Sequence, residues 1–163
     1  MKFSTRARYG LRALIDLGMY SETESVSLQS IADRQGISMG YLEQLMALLK
    51  KAGYVKSSRG ACGGYRLAMP AGEISVGDVL RALEGSLEAV ECAGNEDSGG
   101  CTGADLCVAK YVWKRINDSI TQAVDTMTLG ELICESIKVQ EKNQGQQRGN
   151  GVICPNSRTK NEE

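Results

Sequence analysis

Apolar positions in this chain recur every three or four residues over several stretches, with one short alternating stretch between them. Tyr9, Leu11, Leu14, Ile15 and Leu17 mark the inner face of a first helix running from about Thr5 to Tyr20. Leu28, Ile31 and Ala32 mark a second helix, with Ser27 as its N-cap and Gly36 at the sharp turn that ends it. Ile37 is expected in the angle before the next helix. Ser38 caps that third helix, whose buried stripe is Leu42, Leu45, Leu49 and Ala52, and Gly53 marks its end. Tyr54 to Ser58 and Tyr65 to Leu67 have strand composition, separated by the glycine-rich turn Arg59-Gly60-Ala61-Cys62-Gly63-Gly64. Ser75 and Asp78 open a further helix, with Val79, Leu80 and Leu83 facing the core.

Val108, Val112, Ile116, Ile120, Val124 and Met127 then stripe a long helix expected from about Ala104 to Met127. A lone helix cannot bury such a stripe, so it packs on its own domain, on a second chain, or on both. Trp113 either anchors that interface or is a core aromatic. Thr128 and Glu131 form a capping box for a short last helix. From about Lys138 the chain is polar and glycine-rich (EKNQGQQRGNG) and is expected to be disordered.

Two short helices around a glycine turn, followed by a glycine-rich hairpin, are the layout of a winged helix-turn-helix. The predicted fold class is mainly α with a small β-wing. A DNA-binding domain spans 1–84, a cysteine segment 85–107, a dimerisation helix with a short C-terminal helix 108–137, and a tail 138–163. The polar face of the third helix carries Gly40, Glu43, Gln44, Ala47, Lys50 and Lys51. The N-terminal end of such a helix enters the major groove, where Gln44 suits adenine and Glu43 suits cytosine. Tyr41, Lys50 and Lys51 suit phosphates, which position without specifying. Arg59, at the hairpin tip, either enters a narrow minor groove or is a solvated turn residue. The expected DNA-binding set is therefore Ser38, Gly40, Tyr41, Glu43, Gln44, Lys51 and Arg59.

Charge sharpens this picture. The net charge of −1 over 163 residues divides into +5 for residues 1–67 (ten Lys/Arg, five Asp/Glu) and −6 for the remainder (nine and fifteen). A basic module joined to an acidic remainder suits binding duplex DNA through one end. Lys2, Arg6, Arg8 and Arg12, in or beside the first helix, either touch the DNA backbone or are simply exposed. A hydrophobic content of 42% is enough for a core, and no segment has the length or apolarity of a membrane span or signal peptide, so a cytoplasmic protein is expected.

Six cysteines remain: Cys62, Cys92, Cys101, Cys107, Cys134 and Cys154. In a reducing cytoplasm they form no disulfide framework. Three of them have the spacing C-x8-C-x5-C in a stretch rich in Gly, Asn, Asp and Ser. Three thiolates there either wrap one soft metal centre or are unrelated free thiols. The chain has no histidine, so a fourth ligand would be a distant cysteine, a carboxylate, another polar group or a partner's residue. Neither a C-x-x-C pair nor a glycine-rich phosphate loop is present, which argues against a thiol enzyme or cluster carrier with an incidental winged helix.

The segments TRARYGLRALIDL, IADRQGIS, YLEQL, RGACGGYRL, ISVGDVLRALEG and ITQAVDTMTLGEL, together with the three cysteines, resemble the IscR/NsrR/CymR family of bacterial winged-helix regulators over Met1 to about Ser136. The likeness is greatest to its IscR-type iron–sulfur members. It implies a homodimeric transcription factor on a roughly palindromic operator, with half-sites about 10 bp or a multiple apart. Positions matching Tyr41, Glu43, Gln44 and Arg59 belong to the family's DNA-reading surface, and those matching Cys92, Cys101 and Cys107 are cluster ligands. The implied cofactor is an iron–sulfur cluster, 2Fe–2S in preference to 4Fe–4S. IscR-type proteins have a histidine where Lys110 stands, and NsrR-type sensors use an acidic residue where Arg8 stands, so the fourth ligand is unassigned. CymR-type regulators lack the cysteine triplet. A nitric-oxide or redox-sensing repressor of the same fold is the alternative. Cys134 reads as a small buried residue, Cys154 as unligated in the tail, and Cys62 as either a wing filler or a redox-sensitive thiol.

Overall fold

In the computed structural model, residues 3–21, 24–60, 63–90 and 106–143 are described. Hydroxyl caps set most helix starts. Ser4, Ser27 and Ser75 accept the backbone N–H of Ala7, Ser30 and Asp78, opening α1 (Thr5–Tyr20), α2 (Leu28–Gln35) and α4 (Val76–Glu84). Gly36 ends α2 in the left-handed conformation at φ 63°, so the turn into α3 (Met39–Lys51) needs no strained side chain. Ser38 occupies the N-cap position of α3, but its hydroxyl makes no capping bond, against expectation.

The strands β1 (Val55–Ser58) and β2 (Gly64–Leu67) pair antiparallel, Val55 opposite Leu67 and Ser58 opposite Gly64. Val26 adds a one-residue third strand, exchanging both backbone hydrogen bonds with Tyr65 at 2.8 Å. Gly64 is required at this junction, because a Cβ there would lie 2.6 Å from the Val26 carbonyl oxygen. A one-turn helix at Ala71–Glu73 leads to α4; α5 (Ala109–Asp125) and α6 (Leu129–Asn143) complete the described elements.

The core lies where α1, α2, α3 and the hairpin meet. Leu14, Leu17, Ile31, Leu42, Leu45, Met46 and Leu49 are fully enclosed there, with Ile74, Leu83, Leu129 and Ile133 joining from the second half of the chain. Val79 joins that core, whereas Leu80 packs with Ala7, Val76 and Leu87 in a satellite cluster. The inner face of α1 is narrower than its apolar pattern. Ala7, Gly10, Ala13 and Asp16 are buried, while Tyr9, Leu11 and Ile15 are half-buried. Leu83 packs so closely on Gly10 that a Cβ there would lie 2.6 Å from its Cδ1.

Three expectations are corrected. Ala52 is exposed; α3 stops at Lys51, and Met46 completes the buried stripe instead. The long helix starts at Ala109, with Leu106, Cys107 and Val108 ahead of it, while Ala104 lies outside the described residues. The last helix is not short. It starts at the expected box, Thr128 N–H to Glu131 Oε2 at 2.9 Å and Glu131 N–H to Thr128 Oγ1 at 3.2 Å, and runs through Lys138 to Asn143.

Asp16 is 4% exposed within the apolar face of α1. Arg34 donates to it through Nε at 3.1 and 3.0 Å and through Nη2 at 2.6 Å, and Gln35 Nε2 donates at 2.8 Å. Those bonds hold the Arg34 guanidinium above its ordinary pKa, and its Cζ lies over the Tyr20 ring, 4.2 Å from the centroid. A carboxylate out of water is tolerated because its lone pairs are met by charged and amide donors. Asp16→Ala should therefore lower unfolding free energy by about 2 kcal/mol, less than for a fully enclosed pair because Arg34 reaches solvent. A urea-midpoint comparison checks this, and an unshifted midpoint would refute the assignment.

Candidate nucleic-acid interface

Burial divides α3 lengthwise. Leu42, Leu45, Met46 and Leu49 are sealed into the core, while Gly40, Glu43, Gln44, Ala47, Lys50 and Lys51 face solvent, as does Ser38 just before the helix. A Cβ at Gly40 would meet nothing within 4 Å, so that surface is open. Tyr41 is half-buried. Its ring meets Tyr9 of α1 edge-on, centroids 6.2 Å apart and planes at 83°, and Arg12 Cζ lies over the Tyr9 ring, 5.2 Å from its centroid. Tyr41 therefore ties α3 to α1 as well as bordering the open face.

Arg12 is itself engaged, donating to the Oε1 of Gln35 at 3.1 Å and its carbonyl at 3.3 Å. The residue that accepts from Arg12 thus also donates to Asp16, and the two contacts fix the end of α2 against α1. Arg6 and Arg8 are exposed on α1, and Lys2 lies outside the described residues. Arg8 borders an apolar hollow lined by Phe3, Ala7, Leu11 and Leu80.

Arg59 is exposed after the end of β1, beside Gly60 at φ 117°. Lys50 reaches across from α3 and donates to Ser57 Oγ at 2.6 Å, binding the third helix to the hairpin, and Ser25 and Ser58 share a hydroxyl hydrogen bond at 2.7 Å. The register sets Lys56 directly opposite Arg66, both exposed. Sequence reading missed this pair, although strand alternation would have placed both on one face. Like charges directly opposite weaken a hairpin unless an anion lies over them, so the wing offers a basic surface beyond Arg59.

Two of the six cysteines lie among the described residues. Cys107 is exposed just before α5, and its carbonyl accepts the Lys110 N–H at 3.2 Å; Lys110 is half-buried in the first turn. Cys134 is half-buried on α6, in keeping with a packing role. Cys62, Cys92, Cys101 and Cys154 lie outside the described residues, and no three Cys, Asp or Glu side chains gather into a ligand group among the described ones. Of the three cysteines spaced C-x8-C-x5-C, Cys107 is described, and its exposed thiol is a soft donor of the kind that iron–sulfur chemistry uses.

The stripe of α5 splits between two faces. Trp113, Asn117, Ile120 and Val124 are half-buried toward the rest of the chain, whereas Val108, Val112, Ile116 and Met127 are 77%, 55%, 37% and 45% exposed. Trp113 thus shares the inner row with Asn117. Arg81 bonds Asp78 at 2.9 Å and Asp125 at 2.8 Å, clamping α4 to α5, and both contacts raise its pKa above the ordinary value. No helix among the described residues is long and apolar enough to cross a membrane.

Comparison with known proteins agrees with this geometry. The sequence profile of the Rrf2 family, described as an iron-dependent transcriptional regulator, matches residues 3–135. The HTH-type transcriptional regulator IscR of Enterobacter sp. (strain 638) is 43% identical over 133 residues, covering 82% of this chain and 80% of that protein. The solved structure of T. potens IscR superposes with a TM-score of 0.68 at 42% identity, covering 91% of this chain and 94% of the other. CymR, the global cysteine regulator of B. subtilis, superposes at 0.69 with 39% identity over 83% of this chain and 98% of its own. The fold is thus shared with named regulators over most of the chain, which belongs to the Rrf2 family as a DNA-binding transcriptional regulator.

Proposed function

We propose that two copies of this chain grip a roughly palindromic operator through α3 and the wing, and that an iron–sulfur cluster held by Cys92, Cys101 and Cys107 sets the strength or selectivity of that grip. The observation that carries the DNA half is the division of α3. Its apolar side is sealed, and Lys50 on its open side bonds Ser57 of the hairpin, which also carries the exposed Arg59 and Lys56–Arg66 pair. Gln44 and Glu43 read base edges, Ser38, Gly40, Tyr41 and Lys51 approach the backbone and groove wall, and Arg59 enters the minor groove. The outer row of α5 supports the second copy, because Val112 and Ile116 flank an apolar hollow with Ile120, and such a row is buried by association.

The cluster reading is supported by the sulfur donor set and by the family description as iron-dependent. When bound, a cluster supplies charge and a rigid cross-link within the cysteine segment; the resemblance to IscR-type regulators, rather than the number of thiolates, favours a 2Fe–2S form over 4Fe–4S. Cys107 leads directly into α5, so what the segment holds bears on the helix proposed to join the two copies. A ligand shifts such an arrangement only through its differential affinity for the two states, typically ~1–3 kcal/mol.

Titrating an operator fragment at several salt concentrations tests the reading face. Arg59→Ala should weaken binding and reduce the salt slope by about 1, whereas Gln44→Ala should relax preference at one base position at a cost of ~1–3 kcal/mol. Identical sequence preference and salt slope in both variants would overturn the assignment. Anaerobic purification with absorbance, iron and sulfide analysis tests the cofactor: Cys92→Ala, Cys101→Ala and Cys107→Ala should each abolish the cluster signal, and full signal in all three would move the cluster elsewhere. Ile116→Lys should convert the dimer to monomer in sedimentation, because it sets a charge in the proposed seam; a dimer that persists at low micromolar concentration would place the interface on another face.

A further inference from the structure

The helix proposed to join two copies is fixed to the reading module at its C-terminal end. α4 belongs to that module, because Val79 and Leu83 lie in the core that also holds Leu42, Leu45 and Leu49 of α3. α4 meets the last turn of α5 closely. Arg81 Nη2 donates to Asp125 Oδ2 at 2.8 Å and Nη1 donates to Asp78 Oδ1 at 2.9 Å, so one guanidinium spans both helices. Gly77 is buried against the same carboxylate; a Cβ there would overlap Asp125 Oδ1 and lie 3.0 Å from Val124 Cγ2. Directly after α5 the backbone bridges back. The Met127 carbonyl accepts the Val76 N–H at 3.0 Å, and the Ile74 carbonyl accepts the Leu129 N–H at 2.9 Å.

The proposed seam lies well away from this junction. Ile116 and Val112 stand nine and thirteen residues before Asp125, about 13 and 20 Å along the helix. Between seam and junction, Asn117 takes the Ala89 N–H, which belongs to the irregular stretch after α4 and not to α4 itself. A tilt of about 5° at Asp125 displaces Val112 by about 2 Å. Each copy of a dimer repeats that tilt, and one added base pair between half-sites shifts the second by ~3.4 Å and turns it by ~34°. The angle at the junction therefore bears on which spacing two reading modules reach together. The ion pair itself adds little to folding, since its side chains are 34% and 39% exposed. What it supplies is direction, which the apolar contacts of α5 lack.

We propose that Arg81 and Asp125, seated against Gly77, are positioning residues that set the angle of α5 against the reading module and so the half-site spacing this protein selects. This rests on the reading that two copies join through the outer row of α5, whereas the junction itself belongs to each single chain. A purely structural ion pair would change stability when lost and leave the preferred spacing alone.

A duplex selected from a random pool by the full-length, anaerobically purified protein supplies the probe. Copies of it with one base pair added or removed between the half-sites read the angle. Wild type should bind these mis-spaced duplexes about tenfold more weakly. Arg81→Ala removes the fork, and Gly77→Ala displaces the carboxylate while leaving both charges in place. Each should cut that loss to about threefold, and Arg81→Ala should keep wild-type affinity for a single half-site and a wild-type urea midpoint. Arg81→Lys, which keeps a charge opposite Asp125, should fall between. Glu135→Ala, which breaks an exposed ion pair with Lys138 inside α6, should leave the loss at tenfold. An undiminished loss in both Arg81→Ala and Gly77→Ala would overturn the positioning role, as would a wild-type dimer indifferent to spacing. A wild type that stays monomeric on the duplex in sedimentation would overturn the two-copy reading and this role with it, which keeps the two failures apart.

Discussion

A carboxylate held out of water organises the DNA-binding half of this protein. Asp16 sits where the apolar face of α1 meets the end of α2, and it is stable there because Arg34 and Gln35 meet its oxygens from that end. The pair does more than neutralise a charge. Hydrophobic contact between α1 and α2 is non-directional and would tolerate sliding, whereas a fork of N–H donors on two oxygens admits one register. Gln35 extends the constraint by accepting from Arg12, and Arg12 covers the Tyr9 ring against which Tyr41 of α3 stands. The angle of the proposed reading helix thus depends on a chain of contacts that starts at one buried oxygen pair.

Given that frame, α3 can be two things at once. Leu42, Leu45, Met46 and Leu49 supply the attachment, and because they use one face only, the other is left to polar side chains with no structural duty. Lys50 is the exception, spending its ammonium on Ser57 and so coupling helix to wing. The wing carries its own tension in Lys56 and Arg66, adjacent across the strands with no acidic neighbour bonded to either among the contacts described. A surface that is mildly unfavourable alone and favourable against phosphate is what an electrostatic binding face requires.

The second half of the chain leaves an apolar row exposed. α5 is joined to α4 through Arg81 and to the chain before the cysteines through Asn117, yet none of its residues is fully buried. A 17-residue helix with an apolar outer row is a poor surface for a solitary molecule and a good one for a second copy. The Ser75–Thr128 bridge sets the start of α6 beside that of α4, and Leu129 and Ile133 enter the core, which closes without α5's outer row.

Local chemistry was enough to write down much of this architecture. The caps at Ser27 and Ser75, the glycine turn at Gly36 and the capping box at Thr128 depend on neighbours within about four residues, and each stands where the sequence alone places it, as does the hairpin, whose strands pair six to twelve residues apart. The open face of α3 was legible because its period is local too. Beyond that reach the sequence was silent. Nothing near Asp16 announces Arg34, nothing near Val26 announces Tyr65, and Asn117 looks like any polar residue until Ala89 is set against it. The substitution of Met46 for Ala52 in the core, and the continuation of α6 past Lys138, were likewise decided by where packing ends rather than by composition. Residues four apart meet because a helix brings them together; residues eighteen or twenty-eight apart meet only when the whole chain has packed, and so only the tertiary structure decided them.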